Sequence, residues 1–197
     1  MNKHLLAVAL AAAAVIAAPA KATSVALPSN GSWNEFDVDS MIAADFGNGW
    51  IDSADGSPLS FTFTIAGGSV GTLTVVDAGF AGDTFSVTNF GSVLGATSSV
   101  ATGTSDGTPV FDFDAALADP AYSHGVFKLQ AGTYSIGGSL LQSVLDSGVD
   151  LDATNGAVRL SVSAIPEPAS PLLMFGGLAA VALLARRRHA GKSVNSL

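Results

Sequence analysis

Phe61-Thr62-Phe63-Thr64-Ile65 alternates large apolar and small hydroxyl side chains, and that period of two is the signature of a strand with one buried face. The same beat returns in Leu73 and Val75 between threonines, in Phe85 and Val87 between Ser86 and Thr88, and at Val126 to Leu129. It returns again at Tyr134 and Ile136 and at Val158, Leu160 and Val162, where Arg159, Ser161 and Ser163 face water. Between the runs lie Gly67-Gly68, Ala81-Gly82-Asp83, Ser105-Asp106-Gly107 and Gly137-Gly138, all built from turn residues. Many short strands with frequent turns predict an all-β domain, an antiparallel β-sandwich of jelly-roll-like form.

Helix is scarce in this region. Asp114 is placed to cap a short turn through Ala118, which Pro120 ends because it lacks a backbone donor. Leu140 to Leu145 fits either a short helix or an edge strand. Residues Ser163 to Pro171, with three prolines, read as an extended linker.

The two ends carry a different kind of information. Lys3 and His4, the apolar run Leu5 to Ala18 and the small-residue site Ala20-Lys21-Ala22 define a secretory signal peptide over residues 1–22. At the other end Ile165-Pro166-Glu167-Pro168 precedes the apolar run Leu172 to Ala185 and the block Arg186-Arg187-Arg188. About 14 apolar residues span roughly 21 Å as a helix, against about 30 Å of hydrocarbon, so a transmembrane helix here is short. The arginines favour the cytoplasmic side and act as a stop. The working domain is therefore residues 23–164, the tail signal 165–190, and the last stretch, 191–197, a cytoplasmic tail.

The order of Pro166-Glu167-Pro168, apolar helix and Arg186 to Arg188 resembles the PEP-CTERM sorting signal of Gram-negative bacteria, a tail type also labelled as an ice-binding protein C-terminal domain. The resemblance implies recognition by an exosortase, a membrane cysteine peptidase, with processing near Pro166, Glu167 and Pro168. It further implies passage through the inner membrane to the cell surface or extracellular matrix, in association with exopolysaccharide. The chain departs from the pattern in Ile165, where valine is frequent, and in the extension from Gly191 to Leu197. Asp77-Ala78, Gly82-Asp83, Phe85, Val87, Gly91, Leu94-Gly95 and Thr97-Ser98, followed by Asp112, Asp114 to Pro120, Gly125, Phe127, Leu129 and Gly132, resemble a β-rich ectodomain common among such proteins.

Composition narrows the function. Residues 23–164 hold two basic residues, Lys128 and Arg159, and fifteen acidic ones, a net charge of −13 with histidine neutral. Such a field repels phosphate backbones, which excludes nucleic acid as a partner. The chain has no cysteine, which removes thiol nucleophiles and cysteine-based metal sites. His124 is the only histidine of the domain, beside Ser123, but no Gly-x-Ser-x-Gly elbow is present. Glu35 is its only glutamate.

Asp112 and Asp114, two apart, would share a strand face with carboxylates roughly 6–7 Å apart, within glycosidase reach, or simply form the wet face of a strand whose Phe111 and Phe113 point inward. Calcium is the ion that suits so acidic a chain. Asp52 and Asp55, Asp77 and Asp83, or Asp112, Asp114 and Asp119 offer oxygen ligands, and the last group is the preferred candidate. The expected function is a non-enzymatic surface or matrix protein without an obligatory cofactor. The rival expectation is a carbohydrate-active enzyme on a jelly-roll scaffold.

Overall fold

The computed structural model describes residues 22–45, 47–166, 174–175 and 177–184. Its strands in chain order are β1 (Thr23–Ala26), β2 (Asn34–Asp39), β3 (Leu59–Ile65), β4 (Ser69–Ala78), β5 (Thr84–Asn89), β6 (Ser92–Ala96), β7 (His124–Leu129), β8 (Gly132–Gln142), β9 (Leu145–Asp146), β10 (Val149–Asp150) and β11 (Ala153–Ala164). A helix, α1 (Phe113–Ala118), lies between β6 and β7. One sheet has the order β1-β3-β8-β5-β6 and the other β2-β11-β4-β7, while β9 and β10 form a small hairpin of their own.

Four antiparallel pairs are nested inside one another: β5 with β6, β4 with β7, β3 with β8 and β2 with β11. The chain is thus one long hairpin folded over, with alternate pairs falling in opposite sheets. The expectation of purely antiparallel sheets needs one correction, since β1 joins β3 in parallel, Val25 opposite Phe61. In β3 the alternation is complete: Leu59, Phe61, Phe63 and Ile65 are all buried. They meet Phe36 and Val38 of β2, Leu73 and Val75 of β4, Phe85 and Val87 of β5, and Val158 and Leu160 of β11 in a single core between the sheets. Burial of such side chains contributes about 1.5–3 kcal/mol each before chain entropy is subtracted.

Trp50 is the centre of that core. It stacks on Phe36 at 3.9 Å between ring centroids and meets Phe61 and Phe85 edge-on. Its amide donates to the carbonyl of Gly138 in β8, and its carbonyl accepts from the amide of Leu59. This explains why Gly137-Gly138 is not the turn its composition suggests. A Cβ at Gly138 would stand 2.5 Å from both the Ser86 carbonyl and the Trp50 ring, so Gly138 sits inside a strand because only glycine fits beneath the indole. Leu140 to Gln142 likewise continues β8, paired there with β5 and reached on its other side by the Asn48 carbonyl, and Leu145 opens β9, so the segment Leu140 to Leu145 is not helical.

The outer face of the second sheet is partly covered. Val76 and Ala157 pack there against Ala116 of α1 and Tyr122, with Trp33, Phe113 and Leu117 around them. Asp112 rather than Asp114 caps the helix, accepting from the amides of Asp114 and Ala115, and Phe111 is exposed. The alternation over residues 111–114 was too short to hold a strand against a run of alanine and leucine behind a good N-cap.

At the C-terminal side β11 runs through Ala164, and the Ile165 amide donates to the Gly68 carbonyl, so the expected linker begins later than Ser163. Pro166 is exposed immediately beyond. Residues 174–175 and 177–184 are helical and exposed. Among the described residues no helix is long and apolar enough to cross a membrane. The short transmembrane helix expected from the sequence is therefore unsupported. The signal peptide up to Lys21, Glu167, Pro168, Arg186 to Arg188 and residues 191–197 lie outside the described residues.

Candidate functional site

Parity along β2 builds the site. Phe36 and Val38 point into the core, so Glu35, Asp37 and Asp39 project from the opposite face, successive carboxylates roughly 6–7 Å apart along the strand. The neighbouring strand contributes Asn155, whose Nδ2–H donates to Glu35 Oε1 at 2.9 Å and holds that carboxylate in place. On the other side the backbone of Asp37 exchanges hydrogen bonds with Ile51, at 3.2 and 2.8 Å, which fixes the strand where it would otherwise be an edge.

The facing wall comes from two loops. Gly79 and Val110 exchange both backbone hydrogen bonds at 2.8 Å, and Gly79 adopts a φ of 74°, a conformation glycine takes without strain. That bridge brings Phe80 and Phe111 to the same rim. Together with Pro109 they border a groove of about 450 Å³ whose floor is the acidic row of β2. Phe111 is 63 % exposed.

The electrostatics of the groove are one-sided. Burial raises the pKa of Asp37, the Glu35 charge raises it further, the Ser53 hydroxyl pulls it back, and Asp39 and Asp52 add to the rise. A row of carboxyl groups offers hydrogen-bonding oxygens to a ligand rich in hydroxyl groups. The phenylalanine rings can take the apolar face of such a ligand. Sequence reading missed this site, although the signal was present: Asn34-Glu35-Phe36-Asp37-Val38-Asp39 carries an acid at every second position.

The residues favoured from sequence are brought to other tasks. Asp112 Oδ1 accepts two helix amides, at 3.0 and 3.1 Å. Asp114 Oδ1 accepts from Arg159 Nη1 at 2.9 Å and from Trp33 Nε1 at 3.1 Å, while the Arg159 guanidinium lies over the Trp33 ring at 4.3 Å. Asp119 Oδ1 accepts the Ala121 amide. The three carboxylates do not converge, and among the described residues no group of three or more His, Cys, Asp or Glu side chains is placed to hold a metal ion. Ser123 is fully buried and donates to Thr97 Oγ1 at 2.9 Å, which takes it away from His124 as a nucleophile.

No family model matches the chain, and no curated protein matches it. Among solved structures the chain is similar to the pre-peptidase C-terminal domain of collagenase from Bacillus anthracis, at 12 % identity and a TM-score of 0.34, over 74 % of this chain and 98 % of that one.

Proposed function

We propose that the protein is an exported, non-enzymatic surface or matrix protein of a Gram-negative bacterium, and that its domain contacts exopolysaccharide through the groove beside β2. The observation that carries the binding reading is the groove itself, lined by the row of Glu35, Asp37 and Asp39 together with the half-buried Phe80 and the exposed Phe111. Carboxylates accept hydroxyl hydrogens and aromatic faces take sugar C–H groups, the usual division of labour in a polar ligand site. The nested strand pairs support a jelly-roll form of the sandwich, a scaffold on which such sites are grafted.

Export rests on the two ends of the sequence: a signal peptide cut after Ala22, and a tail at Pro166, Glu167 and Pro168 followed by Arg186 to Arg188, handled by an exosortase. The exposed start of that tail directly after β11 supports it, because a peptidase needs an accessible extended segment. Mass spectrometry of the secreted protein tests this part: new termini after Ala22 and near Pro166 are expected, and a secreted chain intact at both ends refutes it.

One observation favours a second reading, a carbohydrate-active enzyme. Asp37, with its raised pKa beside Glu35, has the character of a general acid next to a carboxylate. Asp37→Asn and Phe111→Ala, assayed separately for polysaccharide binding and for release of reducing ends, distinguish the two. The binding reading expects Phe111→Ala to weaken binding about tenfold and no turnover by the unaltered protein. Turnover that Asp37→Asn abolishes while binding survives establishes the enzyme instead.

A further inference from the structure

The same parity that places aromatic rings in the core places two aspartates there. Asp77 follows Leu73 and Val75 at intervals of two on β4, and Asp83 precedes Phe85 and Val87 at intervals of two on β5. Both are fully buried. The tight turn between the strands, Gly79 to Gly82, brings the carboxyls close enough for the Asp83 charge to raise the pKa of Asp77.

Each carboxyl is half satisfied. Asp77 Oδ2 accepts the Gly82 amide at 3.4 Å, and Asp83 Oδ1 accepts the Val144 amide at 2.7 Å. Asp77 Oδ1 and Asp83 Oδ2 are buried and make no hydrogen bond among the described residues. The Thr154 hydroxyl, 3.4 Å from the carbonyls of Ala78 and Asn155, also lies beside Asp83 and pulls its pKa down. The charged groups that act on the pair are acidic: Asp83 on Asp77, and Asp152 on Asp83. Among the described residues no lysine, arginine or histidine acts on either carboxyl. Two desolvated carboxyls with an orphaned oxygen on each cost several kcal/mol unless something positive joins them.

We propose that Asp77 and Asp83 bind one hard divalent cation, calcium, at the end of the sandwich core. The donor set is all oxygen, the two carboxyls with the Thr154 hydroxyl beside Asp83 and no sulfur or imidazole, which suits calcium and disfavours zinc. Magnesium keeps several waters and near-ideal octahedral geometry, which a buried pair of carboxylates does not supply. Through the Asp83–Val144 bond the ion ties the β4–β5 turn to the chain after β8.

Calorimetric titration and thermal unfolding of the full chain, stripped with EDTA and then given calcium chloride, test this. One calcium per chain is expected. At a hundredfold excess over its Kd the folded-to-unfolded ratio rises about a hundredfold, a Tm increase of roughly 5–10 °C. Asp77→Asn and Asp83→Asn each abolish the response, whereas Asp112→Asn leaves it intact. In the unaltered protein the amide resonances of Gly82 and Val144 shift on addition of calcium, a readout that survives if a variant fails to fold. Absence of binding, a response retained by both Asn variants, or shifts confined to amides elsewhere overturns the proposal; the first would mean that the pair holds a shared proton.

Discussion

Asp77→Asn inverts the usual effect of losing a buried acid when no divalent cation is present. Unfolded, Asp77 ionises near 3.8, whereas in the folded protein burial, reinforced by Asp83, pushes it up to about 9. Between those values unfolding releases a proton, so raising the pH favours the unfolded chain by up to about 1.4 kcal/mol per unit. From pH 5 to pH 7 Asp77 alone removes about 3 kcal/mol of stability. Asp83, raised by burial to about 6 against the pull of Thr154 and Val144, removes roughly 1 more, mostly below pH 6. Self-repulsion of a domain with net charge −13 acts in the same direction, so the informative quantity is the difference between variant and parent. Urea unfolding in EDTA at pH 5, 6 and 7, followed through the buried indole of Trp50, measures it. The variant is expected to be the more stable protein at pH 7, by up to about 4 kcal/mol, and nearly equal to the parent at pH 4. Equal pH slopes for the two proteins would refute the reasoning, because Asp77 would then ionise in the folded state without penalty.

Two other substitutions probe the packing. Gly138→Ala drives a methyl group to 2.5 Å from the Ser86 carbonyl and the Trp50 ring, and since backbone cannot step aside the cost is about 2–3 kcal/mol or more, read as a lower urea midpoint. Asp112→Ala removes the acceptor for the Asp114 and Ala115 amides and costs about 1 kcal/mol in the same measurement. An unchanged midpoint in either case contradicts the corresponding contact.

Where side chains alternate along one strand, the fold was legible residue by residue. Phe61, Phe63 and Ile65 lie inward because period two and a single wet face leave no other register. The same rule applied to Leu73-x-Val75-x-Asp77 and Asp83-x-Phe85-x-Val87 would have placed both aspartates in the core; reading Asp83 as a turn residue followed composition where parity was the stronger guide. What could not be read was anything set by chain segments distant in sequence. Gly138 looks like a turn until Trp50 is seen lying across it. Phe80 and Phe111 stand 31 positions apart and share a rim only through the Gly79–Val110 bridge, so the groove has no local signature beyond the acids of β2. Residues 112–114 were misassigned because two competing local patterns overlapped, and tertiary contact of Ala116 with Val76 and Ala157 favours the helix.

Titration of isotopically labelled protein with purified exopolysaccharide, followed by amide resonances, tests the groove most directly. Shifts concentrated at Glu35, Asp37, Asp39, Phe80, Phe111 and Asn155 are the predicted result. Shifts gathered instead on the opposite sheet around β5 and β6, or none at saturating polysaccharide, would contradict the account.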